Sequence, residues 1–230
     1  MIPMTIFDVE TMPVPDRVKR FIPQYEPFDP TSVKLGNVKD PTLRTAKMAD
    51  AEAKHKQGEF EYWKSAYDKA ALNPVTAEII TIGLLGDHGV DILGSADEGE
   101  DKILRSFWTR FTDHDYVVDE FVFWSGNGSS TENFDVDMII RRSWILGIPV
   151  PQLVFNARYL ASRFVDAAAR YLLGKREAYC SLSRAADELG LYTVGAGIVP
   201  KGNTDMVRGD NFHVYWSGNG EQRALAVKYL

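Results

Sequence analysis

The sequence predicts an α/β fold, a mixed five-stranded sheet flanked by helices, with a helical insertion after the first strand. Three observations predict it. Short runs rich in β-branched and aromatic residues recur around 4–11, 78–85, 90–93, 120–124 and 164–166. From residue 98 onward these runs alternate with segments of helical periodicity, the pattern of strands crossed over by helices. Between the first and second runs lies a long stretch rich in Ala, Lys, Glu and Gln, which favours exposed helix.

The first strand, Met4-Thr5-Ile6-Phe7-Asp8-Val9-Glu10-Thr11, is apolar except for two acids one residue apart. Side chains alternate faces along a strand, so Asp8 and Glu10 point the same way, about 6–7 Å apart. Burying such a pair is costly unless something positive meets it, and hard divalent cations are one answer. For an Asp-x-Glu taken alone, a solvated strand end is by far the commoner explanation, because short motifs match by chance. After Thr11, the prolines Pro13, Pro15, Pro23, Pro27 and Pro30 argue against regular structure as far as about residue 40. Asp40 then caps a helix with Pro41 at its first position, and residues 42–72 form one or two exposed helices closed by Asn73-Pro74. Gly58 is the interior breaker, and Phe60, Tyr62, Trp63 and Tyr67 make an apolar stripe that must pack on something.

Gly86-Asp87-His88-Gly89 reads as a hairpin turn between the second and third strands. Ile103, Leu104, Phe107, Trp108 and Phe111 fall at helical spacing, with Asp97 or Asp101 suited to the start of that helix. The strand at 120–124 runs into Ser125-Gly126-Asn127-Gly128. A helix over 134–146 follows, with Met138, Ile139, Ile140 and Trp144 inward. Ser181 caps a short helix stopped by Gly190. A Gly- and Asn-rich loop then leads to a last helix over 221–230. Trp-Ser-Gly-Asn-Gly occurs at 124–128 and again at 216–220, but the flanks do not match and no repeat is implied.

Composition narrows the function. The 230 residues suit one domain with an elaboration, the insertion covering about 14–73. A net charge of −6 argues against a broadly basic surface that coats nucleic acid, though not against an enzyme that grips one strand locally. The single cysteine, Cys180, permits no internal disulfide and suits a reducing compartment; no leader is evident and no apolar run is long enough to cross a membrane. These features suggest a soluble intracellular protein.

With Phe7-Asp8-Val9-Glu10-Thr11, Asn127-Gly128, Phe134-Asp135 and Met138-Ile139 in this order, the chain resembles the DEDD 3′–5′ exonucleases of the ribonuclease H-like fold. It is similar in particular to the tyrosine branch, the proofreading exonuclease domain of family-B DNA polymerases. Residues 182–190 resemble the helix that precedes the third motif. Gly36-Asn37-Val38-Lys39-Asp40-Pro41 and Ala70-Ala71-Leu72-Asn73-Pro74 look like segments of phage-type members. Two departures stand out. Residues 129–133 lengthen the second motif by about three residues, so Asn133 is an alternative to Asn127. The third motif is Tyr-x-x-x-Asp; Tyr229 matches its tyrosine, and its aspartate would fall past Leu230. Either the fourth ligand is missing or the sequence is a piece of a longer one.

The resemblance implies hydrolysis of phosphodiester bonds from the 3′ end of single-stranded DNA with two Mg²⁺ or Mn²⁺ ions. Asp8 would bridge the ions, Glu10 hold the one beside the nucleophile, Asp135 serve the other, and Tyr229 orient the water. Thr11, Met12 and Asn127 would contact the substrate. Asp137 is a rival to Asp135, one of the two being only a favourable charge in the first helical turn. Arg141 and Arg142 would meet phosphate or lie on a solvated helix face. Trp124 would stack a base or belong to the core, His213 reads as a loop residue, and Cys180 reads as inert. The implied partners are DNA 3′ ends and a DNA polymerase or replication proteins, in the cytoplasm of a bacterial or phage-infected cell. The alternatives are a catalytically degenerate nucleic-acid-binding module of the same fold, or an exonuclease preferring RNA.

Overall fold

The computed structural model describes residues 4–86, 89–94, 98–113, 120–125, 134–155, 163–173, 175 and 178–189, save the side chains of 153, 155, 183 and 187. The chain divides into two compact units, one made of Met1–Met12 with Glu78–Leu230, the other of Pro13–Ala77. The expected insertion, about 14–73, falls within the second. The expected last helix, 221–230, lies outside the described residues.

The first unit is α/β. Strands β1 (Met4–Pro13), β2 (Ala77–Gly86), β3 (Gly89–Leu93), β4 (Glu120–Phe123) and β5 (Phe164–Asp166) form one mixed sheet in the order β3-β2-β1-β4-β5. β2 and β3 are antiparallel, with Gly86 opposite Gly89, which is the expected hairpin. β1 and β4 are parallel, with Ile6 opposite Val122, and β4 and β5 are parallel, with Val122 opposite Val165. Gly94, just after β3, has φ of +110°, and a Cβ there would lie 2.7 Å from the Ile80 carbonyl oxygen, so only glycine fits.

Among the described residues this unit holds the helices α3 (Glu100–Thr112), α4 (Phe134–Ile145), α5 (Ala167–Tyr171) and α6 (Leu182–Glu188). The core is aromatic. Phe107 and Phe111 of α3 pack among Phe7, Phe121 and Phe164 of the sheet, with ring centroids 4.9–6.3 Å apart. Alternation along β1 therefore buries Thr5, Phe7 and Val9 on one face and puts Met4, Ile6, Asp8 and Glu10 on the other.

On α4 the expectation that Trp144 points inward fails, because it is 58% exposed, while Arg142 is fully buried. The buried stripe centres on Ile139. At about 100° per residue, Arg142 lies about 60° from that centre and Trp144 about 140°. Arg142 is therefore neither a solvated residue nor a phosphate contact at the surface, whereas Arg141 is exposed and pairs with Asp137 at 3.3 Å.

The second unit holds α1 (Pro15–Phe21), a 3-10 turn at Pro30–Ser32 and α2 (Pro41–Ala70). The prolines do not exclude regular structure here. Pro15, Pro30 and Pro41 each sit in a first turn, where the missing N–H has no partner to lose. Residues 42–72 give one helix that runs through Gly58, and the Asp40 carboxylate caps it by accepting from the Thr42 amide at 2.8 Å. Only Ala66 and Ala70 of α2 are buried. Phe60 is 66% exposed, against expectation, because it lies about 120° round the helix from Ala66.

The extended stretch around Pro23–Phe28 lies along α2 through Tyr62 Oη donating to the Pro23 carbonyl at 2.5 Å and His55 Nε2 2.9 Å from the Glu26 carbonyl. Tyr25 meets the rings of His55 and Tyr62, and Phe28 meets His55. An open groove of about 820 Å³ runs beside these rings. Among the described residues no helix is long and apolar enough to cross a membrane.

Candidate functional site

Three parallel strands, β1, β4 and β5, bring their carboxyl ends to one edge of the sheet. β1 is central, with β2 on one side and β4 on the other. The chain order departs in both directions from β1, a switch point of the kind where open α/β sheets bind ligands. β4 ends at Phe123, one residue past the Val122 that faces Ile6, so Asp8 and Glu10 stand on the part of β1 that runs past β4. Asp8 is half-buried and Glu10 is 8% exposed. Thr11 and Met12, further along β1, are half-buried.

Asp135 is the second residue of α4, the helix between the parallel neighbours β4 and β5. Such a crossover helix starts on the side where the first strand ends, so the topology sends Asp135 to the same edge as Asp8 and Glu10. It is 8% exposed, while Asp137 is half-exposed and held by Arg141. Asp135 is thus the more buried of the two acids in the first turn of α4. Asn127, its alternative Asn133, His213 and Tyr229 lie outside the described residues.

The structure gives definite partners to two further side chains, Asp166 and Trp124. Asp166 ends β5 and is buried. Its carboxylate accepts from the Ala168 amide at 2.9 Å, the Ser125 amide at 3.3 Å and the Ser125 hydroxyl at 2.6 Å. These donors make it the cap of α5 and the anchor of Ser125, two residues past the end of β4, a structural role. An acid directly before an Ala-rich helix is the sequence signal that could have identified it. Trp124 donates its indole N–H to the Cys180 carbonyl at 3.0 Å and packs 5.8 Å from Tyr171, so it is engaged within the fold. Cys180 is buried, as an inert thiol would be.

Among the described residues, the acids Asp8, Glu10 and Asp135 offer oxygen donors, the type that hard divalent cations such as Mg²⁺ or Mn²⁺ take. Among the described residues, no three Asp, Glu, His or Cys side chains are gathered closely enough to hold a metal ion. Mg²⁺ does not require such a cage, since it commonly binds through one or two carboxylates with waters and substrate phosphates. The fit therefore rests on donor chemistry and on burial of Glu10 and Asp135. No family model, curated protein or solved structure matches this chain.

Proposed function

We propose that the protein is a metal-dependent 3′–5′ exonuclease of ribonuclease H-like fold that hydrolyses phosphodiester bonds at the 3′ end of single-stranded DNA. The observation that carries this reading is the position of Asp8 and Glu10. They stand on the central strand of a β3-β2-β1-β4-β5 sheet, past the end of its parallel neighbour, with a buried aspartate opening the next crossover helix. The mixed sheet with flanking helices is compatible with that fold.

Two divalent cations, when bound, supply an activated water and stabilise the leaving 3′ oxygen. Asp8, Glu10 and Asp135 are the residues that would hold them. Burial of Glu10 and Asp135 strengthens their attraction for a cation, because charge interactions grow as the local dielectric falls. Thr11 and Met12 continue the strand that carries the acids and are suited to contact the terminal nucleotide. Asn127 and Tyr229 would bind substrate and orient the water. Tyr229 would act by hydrogen bonding, since an unperturbed phenol titrates near 10.

End-labelled oligodeoxynucleotide incubated with Mg²⁺ should shorten stepwise from its 3′ end. Asp8→Ala and Asp135→Asn should each reduce that rate by about 100-fold or more, a loss of at least about 2.7 kcal/mol of transition-state stabilisation. An intact rate in Asp8→Ala sinks the reading. A second reading, a binding module of the same fold without catalysis, is favoured by the lack of a gathered three-ligand cluster among the described residues. It predicts that oligonucleotide is bound but not shortened with either metal. Ribo- and deoxyribo-oligonucleotides compared side by side separate an RNA preference from a DNA preference.

A further inference from the structure

Arg142 is fully buried on α4, and its partner is Glu100, the first residue of α3. The guanidinium donates from Nε to Glu100 Oε1 at 2.8 Å and from Nη2 to Oε2 at 2.5 Å. Oε1 also accepts the backbone N–H of Ile79 on β2, at 2.8 Å. One residue on, Ser143 accepts the Trp108 indole N–H at 2.8 Å and donates to the Ile139 carbonyl at 2.7 Å. Two consecutive residues thus fasten α4 to α3, and Glu100 carries the fastening on to the sheet.

This arrangement does more than hold two helices together. A buried ion pair contributes little net stability compared with an apolar pair of the same volume, because both charges lose their hydration. What a forked, two-bond contact provides is orientation. Arg142 and Asp135 are seven residues apart, two helical turns, which sets them on one face of α4 about 10 Å apart. A rotation of α4 about its axis would swing both side chains together.

We propose that Glu100 and Arg142 are positioning residues for Asp135. Their forked pair sets the rotation of α4, and with it the direction of the Asp135 carboxylate at the carboxyl edge of β1. The proposal rests on the reading of Asp135 as a metal-holding acid.

Its test uses Arg142→Lys, which keeps the charge but loses the fork, and Glu100→Gln, which keeps the shape and an acceptor for the Ile79 amide. Mn²⁺ affinity is measured on the free protein by electron paramagnetic resonance. The kcat and KM are measured on end-labelled single-stranded DNA, and folding by circular dichroism. Both variants should stay folded, bind Mn²⁺ about 10-fold or more weakly, and lose about 10–100-fold in kcat, with KM for DNA within about threefold. A purely structural pair would lower the melting temperature and leave Mn²⁺ affinity and kcat unchanged, which overturns the proposal.

If Arg142→Lys does not fold, Ser143→Ala, which removes the neighbouring fastening, should move Mn²⁺ affinity and kcat in the same direction by about threefold. No change in either overturns the proposal as well. Asp135→Asn separates the two levels. If it is inactive while the pair variants behave as the parent, the positioning role alone fails. If it keeps both Mn²⁺ affinity and activity, the reading of Asp135 fails and takes the positioning role with it.

Discussion

In the sheet unit, Phe107 and Phe111 are fully buried and pack against aromatic rings from three strands, and even an arginine is taken fully out of water. In the unit of Pro13–Ala77, the thirty-residue α2 buries only two alanines, and its order comes from other sources. These are a capping carboxylate at Asp40, i,i+4 pairs such as Asp50–Lys54 and Glu52–Lys56, and side-chain bonds to an extended stretch of backbone. The difference teaches where sensitivity to mutation lies. An enclosed aromatic ring cannot be replaced by water, whereas an exposed helical residue loses almost nothing when its side chain is shortened. A site that must hold charges in fixed directions belongs on the first kind of support, and the acids Asp8, Glu10 and Asp135 are all found there.

The largest effect expected to sharpen this comparison comes from truncating one phenylalanine in each unit. Phe107→Ala should cost about 3–5 kcal/mol in urea unfolding, as enclosed aromatic truncations do. Phe60→Ala on α2 should stay within about 0.5 kcal/mol. Comparable losses at the two positions would break the comparison.

A middle-sized effect concerns Gly58. Alanine at an exposed helix interior should add about 0.8–1 kcal/mol over glycine. A Cβ at Gly58 would, however, lie 2.7 Å from Tyr25 Oη, on a ring already in contact with His55 and Tyr62. Gly58→Ala should therefore stabilise a Tyr25→Ala background by close to the full amount and the parent by markedly less. Equal gains in both backgrounds, measured by thermal unfolding, would show that the Tyr25 contact does not constrain the helix.

The smallest effect is a pH dependence at Asp29. The Thr31 hydroxyl, followed by the Thr31 amide, holds this carboxyl below its ordinary value of 3.8. A depressed acid stabilises the folded state above its unfolded pKa. That contribution is present at neutral pH and fades as pH falls through the lower folded value. Carboxyl-carbon NMR titration should give a midpoint for Asp29 below that of the same residue in a Thr31→Ala variant. Coincident midpoints would remove the Thr31 hydroxyl as the leading cause, since the alanine variant keeps the backbone amide.

Much of the sheet unit was legible in residue order. The hairpin at Gly86–Gly89 followed from its turn residues, and the α3 stripe from 3.6-residue spacing. The strand around Phe164-Val165-Asp166 followed from its apolar β-branched character. The acid pair on β1 was legible as well, since alternation alone puts Asp8 and Glu10 on one face. The arginine at position 142 was not legible, because polar residues are assigned to solvent unless a partner is known. Its partner Glu100 lies forty-two residues away. Trp144 was misread for the opposite reason: its apolar character suggested burial, and only its angle from Ile139 excludes it.

The sequence by itself determined the local elements, the face on which the two acids of β1 stand, and the caps at Asp40 and Ser181. These depend on residues within a few positions of one another, where strand alternation, helical period and capping act. Only the tertiary structure decided the strand order β3-β2-β1-β4-β5, the buried Glu100–Arg142 fork and the engagement of Asp166 with Ser125. Those depend on which distant segments exclude water together. A lone side chain carries no record of the partner that will satisfy it once it is buried.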